Sequence, residues 1–360
     1  MPSSARWGSS CCVSSASVCS VLRPSLPPIT GRQRAPPILR RGSPEVRTLR
    51  IFARSRHARQ PAGLALHYAV LFVPFGLAVW WLVEQGLGEL TGKPWQALVL
   101  AGGIYLGSHC VRAVRLAIMA SRLLGISGRS SALLHIVTSP GALVIPFKLG
   151  EILRLHQLWY LGKSFPGALI IILLERFFDG LMILVLLGVV YAYHGPLATG
   201  PMVLLAVTSI AVLAGLVVFV LGPGILQALQ HYVVLNHRNP NSLRHLGQLD
   251  GLRQITTRGA DLFRVQGPVL LVMSMVIWGL EALAATVLAF TSADFVGTSG
   301  IVLLAERVFE GPVGSFQGAV GTWSSLCLLS LALVWPLAMW IYLPRVRNEP
   351  LRAQNRTGVL

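Results

Sequence analysis

The chain has 360 residues, of which 54% are hydrophobic and only 12% are charged. Soluble domains carry about 25% charged residues, so this composition excludes an ordinary soluble domain and predicts an all-α polytopic membrane protein. The formal net charge of +17 does not predict a nucleic-acid partner, because the basic residues concentrate before residue 61 and at the ends of apolar segments, where they set membrane topology.

Residues 1–60 are rich in Ser, Pro and Arg and contain one acid, Glu45. They lack the continuous apolar core of a secretory signal, and we expect a disordered basic extension. A targeting segment, or a start placed upstream of the true one, would have the same composition. We expect the transmembrane domain to cover residues 61–343, followed by a basic cytoplasmic tail at 344–360.

Six apolar segments approach or exceed the ~18–20 residues that a membrane-spanning helix needs. They cover about 64–84, 95–117, 165–193, 201–222, 268–290 and 322–343. The polar stretch 225–267 contains five Arg and two Asp, which predicts a cytoplasmic loop with helical parts on the membrane surface. Basic residues favour the inner side, so we place both termini inside, in the cytoplasmic (inner) cell membrane.

Two further apolar segments, 132–147 and 301–321, are interrupted by turn-forming residues: Pro140, Gly141, Pro146, Gly150, Gly311 and Pro312. The first has basic residues on both flanks, so we expect it to enter and leave the membrane on one side. If the second does the same, the two halves form an inverted repeat. Broken segments at matching positions of such a repeat indicate a transporter-like site near the membrane midplane.

Three ionisable residues, Glu175, Arg176 and Asp179, interrupt the apolar segment 165–193. Each such group costs roughly 2.5–3.5 kcal/mol at membrane depth. Arg176 and Asp179 can pair at i, i+3, whereas Glu175 and Asp179 share a helix face and repel unless a cation or proton lies between them. Either a structural ion network or a proton or head-group relay fits this pattern, and no metal is predicted.

Other charged residues are candidates for head-group binding or ion coupling: Arg112, Arg115, Lys148, Glu151, Arg154, Glu281, Glu306, Arg307 and Glu310. Glu151 and Arg154 belong to a head-group site at the re-entrant turn or pair with each other at i, i+3 at the interface. Glu281 is alone in its span, and we expect Arg307 or Arg176 as its partner if it is not itself functional. Arg112 and Arg115 either set topology or contribute to the site.

The segments PFKLGEILRLHQL and LLERFFDGLMIL resemble a flippase-like membrane family related to the transmembrane region of lysylphosphatidylglycerol synthases. The matching positions are Pro146, Gly150, Glu151, Arg154, Glu175, Arg176 and Asp179, and the pair Arg112 and Arg115 also resembles the family. The resemblance covers about residues 64–343. Trp323 stands where a Glu is expected, so Glu306 or Glu310 compensates or the substrate differs.

The resemblance implies lipid handling, and the missing aminoacyl-transfer domain argues against lysine transfer. We favour a transporter of a lipid with an anionic or sugar head group, such as a phospholipid, a polyprenyl-phosphate sugar or a hopanoid-type lipid. One alternative is a membrane-embedded glycosyltransferase with Asp179 and Glu151 as acid and base. Another is a scaffold for a lipid-modifying enzyme. No soluble catalytic motif is present, and no cofactor is predicted.

Overall fold

The computed structural model describes residues 61–145, 150–194, 199–236, 240–290 and 318–357. Within these ranges the chain is helical apart from short connections, with no strand. Five stretches are long and apolar enough to cross a membrane: Ala65–Leu90, Trp95–Leu124, Met202–Val220, Leu246–Phe290 and Val320–Arg345. The prediction of an all-α polytopic membrane protein is confirmed.

The helices are as follows, in chain order: α1 Pro61–Trp81, α2 Leu87–Leu90, α3 Trp95–Leu124, α4 Gly128–Val144, α5 Gly150–Gly162, α6 Phe165–His194, α7 Thr199–Val220, α8 Gly222–Asn236, α9 Pro240–Phe290 and α10 Gly318–Thr357. A π-helical turn, Leu82–Gly86, joins α1 to α2. Helix α6 is the remaining predicted span. Its 30 residues extend about 45 Å, although its three charges interrupt the apolar run.

The chain reverses direction between α3 and α4 in only three residues. Gly125 adopts the left-handed conformation with φ 66°, which ends α3 because a glycine has no Cβ to clash there. Ser127 then caps α4 by accepting a hydrogen bond from the Ser130 backbone N–H at 3.3 Å, which satisfies one of the free donors at the helix start. These two local signals set α4 back against α3.

Helices α4 and α5 form an antiparallel hairpin held by a close glycine contact. A Cβ at Gly150 would lie 2.2 Å from the Ala142 Cα, so only glycine fits at this crossing. At the other end of α5, a Cβ at Gly162 would lie about 3 Å from the Leu124 side chain at the end of α3. The hairpin therefore starts and ends on the Leu124 side of the bundle, as a re-entrant element does.

This re-entrant element is longer than predicted from the interrupted segment 132–147, because α5 is its return arm. Pro140 and Gly141, which we had assigned to a turn, lie inside α4. The helix continues through Pro140, and the adjacent Ser139 side chain donates to the His135 carbonyl at 2.6 Å. Packing against neighbouring helices allows membrane helices to tolerate proline. Gly141 instead permits close packing, because a Cβ would lie 2.7 Å from Pro74 of α1.

The polar stretch 225–267, predicted as a cytoplasmic loop with helical parts, contains most of α8 and the first half of α9. The two helices run antiparallel, and Arg253 of α9 donates a hydrogen bond of 2.8 Å to Gln230 of α8. Helix α9 then continues without interruption through Pro268 to Phe290. The helix that contains the predicted span 268–290 therefore begins well before it, within the polar stretch.

Several predictions fall on residues outside the described ranges. These are the N-terminal extension, Pro146, Lys148, Glu306, Arg307, Glu310, Gly311 and Pro312. Most of the second broken segment, 301–317, is among them, so the inverted repeat stays a hypothesis. Helix α10 continues into the predicted C-terminal tail and ends at Thr357.

Candidate functional site

Eight charged side chains meet inside the bundle, which we call the charge network. It consists of four arginines and four carboxylates: Arg112, Arg115, Arg154, Arg176, Glu151, Glu175, Asp179 and Glu281. They come from α3, α5, α6 and α9, so elements far apart in sequence build the site together. All eight were candidate residues from the sequence.

Arg115 lies at the centre of the network and is only 1% exposed. Its guanidinium nitrogens lie 2.8 Å from Asp179 Oδ1 and 3.6 Å from Glu175 Oε1. It also donates to the Ser274 hydroxyl at 2.7 Å. The cation expected between the two carboxylates of α6 is therefore an arginine from α3, and Arg115 is more than a topology signal.

The return arm of the hairpin contributes two further ion pairs with α6. Arg154 Nη1 lies 3.1 Å from Glu175 Oε2, and Glu151 Oε2 lies 3.0 Å from Arg176 Nε. The alternative in which Glu151 and Arg154 pair with each other is wrong, because each reaches across to α6. Because α5 packs against α6, each of these two residues pairs with a side chain of α6 and not with its i, i+3 neighbour on α5.

Arg112 connects α3 to α9. Its Nη2 atom lies 2.7 Å from Glu281 Oε1, which also accepts a hydrogen bond of 3.3 Å from the Ser108 hydroxyl. Of the two partners predicted for Glu281, Arg176 pairs with other carboxylates, and Arg307 lies outside the described residues. The predicted i, i+3 contact of Arg176 with Asp179 is present at 3.5 Å.

The residues of the network lie at similar heights on α3 and α6. Glu175 is ten residues from the start of α6, and Arg115 is nine residues from the end of α3. Both distances correspond to about 15 Å at 1.5 Å per residue, half of a ~30 Å hydrocarbon core. Because both helix ends lie on the Leu124 side, the opposite charges meet at the same height.

The eight charges balance, with four positive and four negative groups, but their exposure differs. The side chains of Arg115 and Glu175 are each 1% exposed, whereas those of Arg176 and Glu151 are 35% and 18% exposed. Arg176 therefore has the most exposed of the four guanidinium groups. A guanidinium binds phosphate and carboxylate oxygens well because its N–H groups form a planar fork.

Sequence analysis missed the polar partners of these charges. Ser108, Ser274 and Thr138 each contact one member, Thr138 through a hydrogen bond of 3.5 Å from Arg154 Nε. Ser108 lies four residues before Arg112, on the same face of α3, which was an available signal. Nothing in the sequence distinguishes Ser274 or Thr138 from the other hydroxyl residues of apolar helices.

Trp323, at the position where a family Glu was expected, is fully buried. Its ring packs edge-on against Tyr105 of α3 at a centroid distance of 5.7 Å. This position serves packing in the present chain. In the described ranges, no three His, Cys, Asp or Glu side chains come together as metal ligands do.

Comparison with known proteins gives one finding. Residues 64–305, about two thirds of the chain, match the family model of the lysylphosphatidylglycerol synthase TM region. Neither the curated proteins nor the solved structures gave a significant match. Together with the apolar helices, the family match supports a multi-pass membrane protein with a lipid-related function. The chain belongs to the family of the lysylphosphatidylglycerol synthase TM region.

Proposed function

We propose that this protein translocates a lipid with an anionic or sugar head group across the membrane. The observation that carries the proposal is the charge network inside the bundle, which joins a re-entrant hairpin to three other helices. Buried ion pairs contribute little net stability compared with apolar packing. A network of eight charges therefore indicates a role beyond stability, and the family match supports a lipid as the ligand.

The pair between Glu151 and Arg176 is where a head group would bind first. Both side chains are partly exposed, and an anionic head group can replace the carboxylate of Glu151 on the guanidinium of Arg176. Deeper in the network, Arg154 and Arg115 share Glu175. The anion can therefore exchange partners without leaving any arginine unpaired, which lowers the cost of a charge at this depth.

The hairpin provides the moving part in this proposal. Its return arm α5 carries both Glu151 and Arg154, while their partners Glu175 and Arg176 belong to α6. A shift of α5 relative to α6 would change both pairs together. Alternating access in transporters commonly moves one element against another around a fixed site.

The test uses purified protein in liposomes that contain fluorescent phospholipid or polyprenyl-phosphate lipid, with an impermeant quencher added outside. Active protein is expected to make well over half of the label accessible to the quencher. Arg176→Gln and Glu151→Gln are expected to reduce this strongly. Arg253→Gln is the matched control, because Arg253 contacts Gln230 on the α8–α9 hairpin and lies outside the network.

A charge swap separates head-group binding from pairing alone. In the double variant Glu151→Arg with Arg176→Glu, the ion pair persists but the positive charge moves to α5. We expect this variant to remain inactive if Arg176 binds the head group. Full recovery of transport would show that the pair is structural. If the unmodified protein leaves the inner-leaflet label protected with every lipid, translocation by this chain is wrong; sugar incorporation or enzyme co-purification would then be measured.

A further inference from the structure

Two buried histidines form a hydrogen-bonded pair beside the charge network. His109 of α3 and His135 of α4 are 8% and 1% exposed, and His109 Nδ1 lies 3.2 Å from His135 Nε2. One ring must donate the N–H of this contact and the other must accept it. The pair therefore joins α3 to the re-entrant hairpin through a single shared hydrogen.

The surroundings of the pair belong to the same site. Arg112 and Arg115 of α3 and Arg154 of α5 are the charged groups whose fields act on His135. The other two elements packed against α4 are α1 and α10. They carry no charged residue over 65–83 and 318–344, where their titratable groups are His67, Tyr68, Cys327 and Tyr342.

The carboxylates of the network do not need a proton to balance their charge. Each one contacts a guanidinium: Glu281 contacts Arg112, Asp179 contacts Arg115, Glu175 contacts Arg154 and Glu151 contacts Arg176. Arginine keeps its proton. Among the described residues at this site, the two histidines are thus the side chains with a ring nitrogen that can take up or release a proton.

His135 also has an atom that can receive the proton. Its Nδ1 is buried and has no hydrogen-bond partner, which is uncommon for a polar atom inside a protein. When His135 donates its Nε2–H to His109 Nδ1, its own Nδ1 carries a lone pair, and protonation there converts the ring to an imidazolium while this hydrogen bond is kept. With four arginines and four carboxylates already balanced, this adds one uncompensated positive charge beside three guanidinium groups.

We propose that the pair His109–His135 binds a proton together with an anionic head group, so that the two cross the membrane as one neutral unit. The inference rests on the proposed translocation function. The negative charge of the head group compensates the charge of the imidazolium. By thermodynamic reciprocity, each ligand then strengthens the binding of the other. The proton comes from water on one side and returns to water when the lipid leaves on the other.

This mechanism has a quantitative consequence. With one proton per monoanionic lipid, a difference of one pH unit balances a roughly tenfold ratio of lipid between the leaflets, since one unit corresponds to a factor of ten in free-energy terms. The lipid accumulates in the leaflet that faces the more alkaline solution. Because the transported unit is neutral, the membrane potential has no effect on the ratio.

The experiment uses proteoliposomes with fluorescent phosphatidylglycerol and an imposed difference of one pH unit, with the potential clamped by potassium and valinomycin. The unmodified protein is expected to build up the tenfold asymmetry. His135→Gln and His109→Gln keep a hydrogen-bonding side chain that cannot become charged, and both are expected to lose it. His231→Gln, an exposed position on α8, is the matched control and should keep it.

A second readout does not depend on transport. When short-chain phosphatidylglycerol is added to the protein in weakly buffered micelles, the protein should take up about one proton per bound lipid. Addition of phosphatidylcholine should cause no proton uptake. His135→Gln should abolish the uptake while the protein still elutes as a single species. If that variant misfolds, the proton uptake by His109→Gln, compared with the uptake by the unmodified protein, tests whether the histidine pair is the proton site.

The outcomes separate the two proposals. Lipid translocation that ignores the pH difference, or responds equally in His135→Gln, would refute the proton site and leave translocation intact. Proton uptake on lipid binding without any translocation would support the proton site and refute the transport function. Absence of both translocation and uptake would refute both.

Discussion

Removal of the Arg115 guanidinium should destabilise the protein strongly. Arg115 is 1% exposed and lies 2.8 Å from Asp179 and 3.6 Å from Glu175. Arg115→Gln leaves two carboxylates on adjacent turns of α6 without the cation between them and gives the network a net charge of −1. Breaking a buried ion pair on one side costs about 3–5 kcal/mol, and we expect a loss of this size in the free energy of unfolding.

The double variant Arg115→Gln with Asp179→Asn tests the reasoning. It restores charge balance, because Glu175 keeps Arg154 and the arginines next to Asp179 keep their other carboxylates. Neutralising both partners of a buried pair costs far less than removing one. The double variant should therefore be more stable than Arg115→Gln, with a coupling energy of about 2–3 kcal/mol.

The free energy of unfolding would be measured in mixed micelles by denaturant titration, with both single variants and the double variant compared in one cycle. Arg253→Gln serves as the control and should stay within about 1 kcal/mol, since it removes one partly exposed hydrogen bond. A double variant that is as unstable as the single variant would refute the charge-balance argument. So would an Arg115→Gln protein that loses less than about 1 kcal/mol.

Two further predictions concern packing of the hairpin. Gly150→Ala should lower the free energy of unfolding by about 1–3 kcal/mol, as overpacking does, because the added Cβ meets the Ala142 backbone. Gly188→Ala is the control, because nothing lies near the added Cβ there. Equal thermal stability of the two variants would contradict the contact. Trp335→Phe should cost about 1 kcal/mol, since it loses the hydrogen bond of 2.9 Å from the indole N–H to the Val137 carbonyl. If Trp335→Phe unfolds at the same midpoint as the unmodified protein, this hydrogen bond is not needed to hold α10 against α4.

The re-entrant hairpin shows where sequence reasoning works and where it stops. Basic flanks and the interruptions of the apolar run predicted an element that turns back, and α4 and α5 form a hairpin whose two ends lie on the Leu124 side of the bundle. They did not indicate the return arm α5, because the extent of the hairpin depends on contacts such as Gly150 against Ala142. Pro140 was wrongly assigned to a turn, since α4 continues through it and packing against neighbouring helices lets a membrane helix tolerate proline.

For the charge network, the sequence identified the members but not most of the partners. A charge within an apolar segment is costly, and Glu151 and Arg154 lie in the turn next to one, so all eight residues were visible as candidates. Only the i, i+3 contact of Arg176 with Asp179 could be predicted from helix geometry. The contact of Glu281 with Arg112 was not predicted, because it joins residues 169 positions apart in the chain.

The sequence by itself determined the class of this protein, the approximate places of its spans and the set of charges that need a partner. Each of these follows from local composition, because the cost of burying a charge or exposing an apolar helix face to water depends on the residue and its neighbours in the chain. Only the tertiary structure decided which charges neutralise each other and that two histidines from α3 and α4 share a hydrogen. Those contacts depend on the height and rotation of each helix, which packing of the whole bundle fixes.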